Sequence, residues 1–559
     1  MFRRRLTSGI AALVLAMAAL APPVQSDDEA FPRSFESEGV TWVVRTPVVT
    51  DWAAFRSLHG LLPVESAGRA WRLPFEAETA VDFAERRVRL HSVRFGPASG
   101  APVDGLAKAL GGDLAMDLDA LIAALPPDFE IPAAAKAAPQ LNFAPPRIIV
   151  SEQPRRLMLI DGPPAMAPID GTALEFVVNT DWDVFHDTRA GAWYVLDDGQ
   201  WISSTLLSSG DWRVVTKLPD DFQTVQLNSD WPQVAAAMPP RAVSEPLPIT
   251  ISYEPTELIL IDGPAQIEEI GGGLRHVANT SSDLFLYGDR YYYLAAGRWF
   301  YTKRLDRQWF AVRTLPAAFA EIPEHHARAR VLSAVPGTPA ARRAAIEAAI
   351  PRIATVAPGA ADAVTVPYLG PPSFVNIEGT PLRRAENTPF QVIQHNNFYY
   401  LCHAGAWYVS PAPQGPWSAA REVPQAIYGI PPTDPAYNVT FVRLDAFDDD
   451  SGRAAYVSTG GYYNRYYTGS TMVYGTGWYY PGYHRGSAYW HYPRTYGYYG
   501  PWGAYWPYAP TRSETFEIDT REVDWEWDLD GSKRRVYDYG PRNRVGEIYV
   551  PPAPTPIDR

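Results

Sequence analysis

The sequence predicts a mainly β protein: three tandem β-rich repeats, preceded by a small α+β domain and followed by a low-complexity Tyr/Gly/Trp-rich tail. One unit recurs three times along the chain. Within each copy, short β-branched and aromatic runs alternate with Gly-containing turns, the pattern of successive hairpins. Proline is also frequent, with 54 in 559 residues, which disfavours long helices.

The first 26 residues have the pattern of a signal peptide. Residues 3–5 are all arginine, an apolar run follows at 10–21, and small residues end it at 24–26. The apolar run is shorter than a helix that spans a bilayer. We therefore expect an exported chain, either periplasmic or extracellular and attached to the cell surface. Its mature form would begin at Asp27 and contain no transmembrane span.

Charge and cysteine content argue against two classes of function. The net charge of −13 disfavours nonspecific binding to phosphate backbones, so no nucleic acid partner is expected. Cys402 is the only cysteine, so the chain can form neither an internal disulfide nor a zinc site of several thiolates. Stability must come from burial of apolar surface.

The region before the repeats, 27–132, mixes strand and helix signals. Its clearest amphipathic helix is LDALIAALPP (118–127), which ends at a proline pair. We interpret this region as a separate α+β domain.

The repeats occupy 146–234, 247–330 and 363–445, and are called repeats 1, 2 and 3. Each has an Asn-Thr pair, then a Tyr five residues before the Gly of Gly-x-Trp, a second Trp 10 or 11 residues later, and a Pro seven residues beyond. The equivalent residues are Asn179, Asn279 and Asn387; Tyr194, Tyr292 and Tyr400; Trp201, Trp299 and Trp407; Trp212, Trp309 and Trp417; Pro219, Pro316 and Pro424.

Each copy contains seven or eight candidate strands, enough for two four-stranded sheets. Three such copies predict a six-bladed, propeller-like ring, whose closure removes exposed sheet edges. The alternative is three separate small β modules on Pro/Ala-rich linkers. Between repeats 2 and 3 lies a helical connector, 331–362. Its helix is predicted to start at Thr338 as N-cap with Pro339 in the first turn, and to stop at Pro351.

The chain changes character after Phe447. Residues 458–509 are rich in Tyr, Gly and Trp and hold few aliphatic side chains from which to build a core. Residues 510–559 contain an alternating acidic and apolar run that reaches Asp530-Gly531, a favoured hairpin turn. We expect an acidic two-stranded element there.

Motifs for catalysis and metal binding are weak. The sequence holds no Gly-x-Ser-x-Gly elbow, phosphate loop or dinucleotide fingerprint, although a pair of carboxylates suited to glycoside hydrolysis is compatible with it. Cys402 and His403 are neighbours on a predicted strand and should point to opposite faces, which indicates a structural cysteine. An EF-hand-like start at Glu526 lacks the bidentate Glu at the twelfth position, where Tyr537 stands. No catalytic residue, metal site or cofactor is predicted.

Aromatic side chains remain as candidate ligand contacts. Rings repeated at fixed positions are predicted to form the core of each repeat. In RYYYLAAGRWF (290–300), strand alternation puts two tyrosines on the face opposite Tyr292. The predicted ligand-binding residues are therefore Tyr291, Tyr293, Trp478, Trp490, Trp502 and Trp506.

The repeated Asn-Thr, Tyr-x4-Gly-x-Trp and Trp-x6-Pro pattern, with VPGTPAARRAAIEAAIP (335–351) and VYGTGWYYP (473–481), resembles one family. It comprises exported, uncharacterised bacterial proteins labelled carbohydrate-binding family V/XII, and the resemblance covers about 34–509. The label implies a polysaccharide or cell-envelope glycan as partner. None of the binding residues of the established modules matches a position in this chain.

These observations together lead us to expect an exported, non-enzymatic binding or envelope-associated protein that recognises carbohydrate through aromatic side chains. One alternative is a structural or adhesive envelope protein whose C-terminal tail makes protein or surface contacts. A second alternative is a glycan-active hydrolase.

Overall fold

The computed structural model describes residues 31–478, apart from short gaps, and two short strands near the C-terminus. The fold is mainly β, as predicted. Outside the described residues lie the predicted signal peptide and three of the predicted ligand contacts, Trp490, Trp502 and Trp506. Within the described part, no helix is long and apolar enough to cross a membrane.

The N-terminal region forms one antiparallel sheet of seven strands with a short helix. The strands are β1 (Arg33–Ser37), β2 (Val40–Val44), β3 (Val48–Ala53), β4 (Ser57–Ser66), β5 (Arg69–Asp82), β6 (Arg87–Phe95) and β7 (Leu114–Asp117). Strand β4 alternates between buried and half-buried residues along its whole length, so one face covers the core. Helix α1 (Leu118–Ala124) begins where the Asp117 carboxylate accepts the Ala120 N–H, and it lies within the predicted helical segment.

Each repeat contains one six-stranded antiparallel meander, in which every strand pairs with its sequence neighbours. In repeat 1 the strands are β10 (Met166–Pro168), β11 (Leu174–Val177), β12 (Asp183–Asp187), β13 (Ala192–Asp197), β14 (Gln200–Ser204) and β15 (Arg213–Val214). In repeat 2 they are β18 (Ile267–Gly271), β19 (Leu274–Val277), β20 (Leu284–Tyr287), β21 (Arg290–Ala295), β22 (Arg298–Thr302) and β23 (Phe310–Ala311). In repeat 3 they are β25 (Phe374–Asn376), β26 (Arg383–Ala385), β27 (Gln391–His395), β28 (Phe398–His403), β29 (Ala406–Ser410) and β30 (Ser418–Ala419).

Repeats 1 and 2 are joined by a reciprocal exchange of strands. The entry strands are β8 (Arg147–Ser151) and β9 (Arg156–Leu159) in repeat 1, and β16 (Ile249–Ser252) and β17 (Thr256–Leu260) in repeat 2. Strand β17 pairs in parallel with β8, and β16 pairs in parallel with β9. Ile148 lies opposite Glu257, and the equivalent Ile249 lies opposite Arg156, so the exchange pairs equivalent positions of the two repeats reciprocally.

This topology corrects the predicted division of a repeat. Repeats 1 and 2 have eight strands each, within the predicted number, but these form one six-stranded sheet and two entry strands rather than two four-stranded sheets. A six-bladed ring is therefore not confirmed. Turn motifs in the sequence do not show which strands belong to the sheet and which are entry strands. The reason is that the entry strands pair with residues about 100 positions away in the sequence.

The repeated tryptophans form the core of the repeats, as predicted. Trp201 and Trp407 are fully buried, and Trp299 is 7% exposed. The indole N–H of Trp299 donates to the Ala334 carbonyl oxygen at 2.9 Å, and that of Trp407 donates to the Val442 carbonyl oxygen at the same distance. These bonds tie the sheet to the segment that covers it.

The repeated asparagine closes the loop that leads into each meander. In repeat 3, the Asn387 side-chain oxygen accepts the Ser373 N–H at 2.9 Å, and its amide donates to the Pro371 carbonyl oxygen at 2.8 Å. Asn179 and Asn279 make the equivalent bonds. Asparagine suits the position because its side chain is both a donor and an acceptor.

Short helices cover one face of each repeat sheet. Repeat 1 uses α2 (Phe222–Leu227) and α3 (Pro232–Ala236), whereas repeats 2 and 3 use 3-10 turns, Ala317–Glu321 and Ala329–Ala334 in one and Gln425–Gly429 and Tyr437–Phe441 in the other. The connector helix α4 (Pro339–Ala349) has Thr338 as its N-cap, as predicted. Its Ile346 and Ala349 pack into the N-terminal core.

The Tyr/Gly/Trp-rich segment is part of the fold from residue 458 up to residue 478, although it holds few aliphatic side chains. Three strands form one sheet, β24 (Arg352–Val356), β31 (Val442–Asp448) and β32 (Arg453–Ser458), and two form a hairpin, β33 (Arg465–Thr468) and β34 (Thr471–Tyr474). Tyr466, Met472 and Val473 are buried, so one aromatic and one sulfur-containing side chain supply apolar surface beside a single aliphatic one.

The predicted C-terminal hairpin is confirmed as a strand pair. Strands β35 (Glu526–Asp528) and β36 (Lys533–Arg535) pair antiparallel. The turn at Asp530-Gly531 lies outside the described residues.

The unfolding free energy should depend on pH through Glu257, which lies on an entry strand between repeats 1 and 2. This buried carboxyl lies 3.0 Å from the Tyr293 hydroxyl, and desolvation raises its pKa to about 8. The folded-state pKa lies above the unfolded value of about 4.3. The contribution of the protonated carboxyl to stability is therefore fully present below about pH 4.3. This contribution is lost as pH rises through about 8.

We expect Glu257→Gln, which keeps the shape of a neutral carboxyl, to abolish this loss. Between pH 5 and pH 9 the wild type should lose a few kcal/mol more unfolding free energy than the variant. Urea unfolding at both pH values measures the difference, with the exposed Glu269→Gln as control. Parallel pH profiles for wild type and Glu257→Gln would contradict the assignment.

Candidate functional site

Two of the predicted contact residues lie on the hairpin of repeat 2, and the structure treats them differently. Tyr291 is half-buried. Tyr293 is only 4% exposed, and its hydroxyl is bonded to Glu257. The expectation that Tyr293 is presented to a ligand is therefore wrong, because side chains of the entry strands, including Ile148 and Ile259, pack against this face of the sheet.

Trp478 is the predicted contact that the structure places on an open surface. Its side chain is 48% exposed and lines a cleft of about 380 Å³. The other lining residues are Glu378, Pro431, Pro432 and Thr433. We call this the Trp478 cleft. It combines an aromatic face and proline rings with two side chains that can form hydrogen bonds, the composition of many small-ligand sites.

A tight turn of repeat 3 carries Glu378. The turn runs from Ile377 to Thr380, whose hydroxyl donates to the Ile377 carbonyl oxygen at 2.9 Å. Gly379 has a φ of 72°, as the third position of a type II turn requires. The turn fixes the backbone of Glu378 and leaves its side chain exposed.

The opposite wall is the loop that begins at Pro431. The Asp434 N–H donates to the Pro431 carbonyl oxygen at 3.0 Å, and one Asp434 carboxylate oxygen accepts the Ala436 N–H at 2.8 Å. The other carboxylate oxygen accepts from the Arg384 guanidinium at 3.3 Å. Because Arg384 lies on β26, directly after the Glu378 turn, this ion pair links the two walls.

A buried guanidinium holds the segment that ends at Trp478. Arg298 is 2% exposed and donates to four backbone carbonyl oxygens, those of Ala296, Asn142, Tyr474 and Gly475, at 2.8 to 3.2 Å. We call this arrangement the Arg298 clamp. Burial lowers the pKa of Arg298, but the carbonyl oxygens supply the hydrogen bonds that water would otherwise provide.

Asn142, whose carbonyl oxygen accepts from Arg298, fixes the two residues immediately before Trp478. The Asn142 N–H donates to the Thr476 carbonyl oxygen at 2.8 Å, and its side chain donates to the Gly477 carbonyl oxygen at 2.7 Å. Gly477 has a φ of 80°, and a Cβ there would collide with the Asn142 carbonyl oxygen. The exposed indole of Trp478 thus follows a backbone segment that these hydrogen bonds hold in place.

Among the described residues that line the Trp478 cleft, Glu378 is the one carboxylate, whereas glycoside hydrolysis uses a pair. Within the described part of the chain, no group of three or more His, Cys, Asp or Glu is placed to hold a metal ion. Cys402 is buried, as predicted, and desolvation raises the pKa of its thiol.

Sequence patterns missed most of this site. Glu378, Thr433 and Arg298 carry no motif, because the cleft forms from three segments that meet only in the folded chain. One signal did exist for the clamp. The residue between Gly and Trp of Gly-x-Trp is Gln200 in repeat 1 and Ala406 in repeat 3, both uncharged. Repeat 2 has Arg298 at this position, next to a Trp predicted to be buried.

No family model, no curated protein and no solved structure matches the chain. What the cleft binds is therefore inferred from its own geometry, and the resemblance to carbohydrate-binding proteins stays an expectation.

The Arg298 clamp predicts a large loss of stability on substitution. Arg298→Met keeps much of the apolar volume but leaves several buried carbonyl oxygens without donors, and we expect it to lower the unfolding free energy by about 3 kcal/mol or more. Arg298→Lys should also destabilise the protein, because an ammonium has three donors and no planar fork. Denaturant unfolding measures both changes.

The matched control is Arg290→Met, eight residues earlier in the same hairpin. The Arg290 side chain is 46% exposed. Its substitution should change the unfolding free energy by less than about 1 kcal/mol. Equal stability of the two methionine variants would refute the structural role of the clamp.

Proposed function

We propose that this chain is an exported, non-enzymatic glycan-binding protein in which the Trp478 cleft stacks against a sugar ring. The observation that carries the proposal is the display of Trp478: its indole is nearly half exposed, whereas the repeated tryptophans are buried. An exposed aromatic ring on a backbone that is fixed from below suggests a ligand surface rather than a packing defect.

The surroundings of the ring support a sugar rather than a purely apolar ligand. Sugar rings have C–H faces that suit stacking on an aromatic ring, and hydroxyl groups around their edge. Glu378 can accept hydrogen bonds from such hydroxyls, and Thr433 can both donate and accept. The two proline rings add apolar surface beside the indole.

The rigid backbone favours binding for an energetic reason. A segment that its ligand must order lowers the affinity, because the entropy of that segment is lost on binding. The Arg298 clamp orders the segment that leads to Trp478 before any ligand arrives. The expected partner, a polysaccharide of the cell envelope, agrees with the export signal predicted from the sequence.

A structural or adhesive role is the second candidate, and one observation favours it. Trp478 stands at the end of the described fold, directly before the rest of the Tyr/Gly/Trp-rich segment, so its exposed ring also suits a protein contact. In that case, removal of residues 479–559 should abolish retention in the envelope, while binding to purified glycans stays absent.

Pulldown on insoluble chitin, cellulose and peptidoglycan tests the glycan proposal. We expect the wild type to bind at least one of them and Trp478→Ala to bind that one roughly 10-fold or more weakly, since a stacked ring contributes about 1–3 kcal/mol. Trp478→Phe should keep part of the affinity, because it keeps a ring.

Phe310→Ala serves as control, because it removes a similarly exposed ring (47%) from repeat 2. It should bind as the wild type does. Failure of the wild type on all three polymers, or equal binding by Trp478→Ala, would refute the proposal.

A further inference from the structure

A strip of three aromatic rings lies on repeat 3, the repeat that also carries Glu378 of the Trp478 cleft. The rings belong to Tyr368, Phe374 and Tyr399, and we call them the repeat-3 strip. The centroids of Tyr368 and Phe374 are 6.5 Å apart, and those of Phe374 and Tyr399 are 5.3 Å apart. All three residues are half-buried: they pack against the repeat 3 core, and part of each residue remains accessible to solvent.

Polar groups accompany the rings in a directed chain of hydrogen bonds. Arg383 donates to the Gln394 side-chain oxygen at 3.0 Å, and the Gln394 amide donates to the Tyr399 hydroxyl oxygen at 3.3 Å. The Tyr399 hydroxyl accepts in this chain, so its own proton can be donated to a ligand. Arg383 is exposed, with its guanidinium 6.0 Å from the centre of the Phe374 ring.

The strip and the cleft share one hairpin. Phe374 starts β25, and Asn376 ends it on the same face, because strand side chains alternate. Glu378 of the cleft follows two residues later, in the turn. Glu378 lies four positions after Phe374, at most about 13 Å along an extended backbone. The strip and the cleft are therefore close enough for one ligand to contact both.

Repeat 3 differs from the other two at this point. The position of Tyr399 is aromatic in all repeats, as Trp193 and Tyr291. The position of Phe374 is occupied by Met166 in repeat 1 and Ile267 in repeat 2. The second ring of the strip is therefore special to the repeat that also supplies Glu378.

We infer that the repeat-3 strip is a second subsite of the same glycan surface, so that the ligand is an extended oligosaccharide rather than a single sugar. This inference rests on the proposed function of the cleft. The alternation of rings with Arg383, Gln394, Asn376 and Glu378 fits an amphipathic chain with flat apolar faces and polar edges. β-Linked chains of equatorial sugars have that form.

Isothermal titration calorimetry with soluble β-1,4-linked oligomers of glucose and of N-acetylglucosamine tests the inference. Each is used as a disaccharide and as a hexasaccharide. Phe374→Met introduces the side chain that repeat 1 carries at this position, which preserves apolar packing and removes the ring. The control is Phe398→Ala, which removes an exposed ring (48%) of the same repeat outside the strip.

We expect Phe374→Met to weaken hexasaccharide binding roughly 10-fold, the loss of one stacked ring, and to leave disaccharide binding unchanged. Trp478→Ala should weaken both, and Phe398→Ala neither. Unchanged hexasaccharide binding by Phe374→Met, with a loss in Trp478→Ala, would overturn the second subsite and leave the proposed function intact.

Two other outcomes would contradict parts of the two proposals. A loss in Phe374→Met without a loss in Trp478→Ala would overturn the cleft as a glycan site and the shared surface with it. Absence of wild-type binding to every oligomer would overturn the second subsite, whereas the proposed function falls only if the wild type also fails to bind all three insoluble polymers.

Discussion

The structure depends on one constraint: each repeat forms a single sheet that is apolar on both faces, so both faces must be covered. One face carries the Trp of Gly-x-Trp. The segment after the repeated Pro covers this face and supplies Phe222, Phe319 or Ile427 in the three repeats. The other face needs a different cover. In repeats 1 and 2, the exchanged entry strands provide it.

That constraint explains features that look unrelated along the sequence. Tyr293 is buried because it lies on the second face, beneath the entry strands. The hairpin of β33 and β34 is ordered although it is poor in aliphatic residues, because it packs against the Gly297 turn, where a Cβ would lie 2.3 Å from the Met472 carbonyl oxygen. Trp478 is displayed only because this hairpin is held in place.

Local patterns sufficed for much of the fold. The three repeats, the core role of Trp201, Trp299 and Trp407, and the helix capped by Thr338 follow from spacing, repetition and capping chemistry. The sheet arrangement did not follow, because pairing of β8 with β17 is a long-range choice between strands of similar composition. Strand alternation placed Tyr293 opposite Tyr292 correctly but could not say which of the two faces stays open.

The site was partly accessible to the same reasoning. Trp478 stood out as a ring that does not repeat, and exposure of its side chain agrees with that distinction. The partners of the ring did not stand out, because Glu378, Thr433 and Arg298 acquire their meaning from segments more than 40 residues apart in the chain. Polar residues in turns and loops are common, so their types alone do not identify a binding surface.

The reciprocal pairing of entry strands also sets an order of events during synthesis. Strands β8 and β9 gain their partners only after residue 260 has been made, about 100 residues after they themselves emerge. Until then the second face of the first sheet has no cover, and its strand edges are open to other chains.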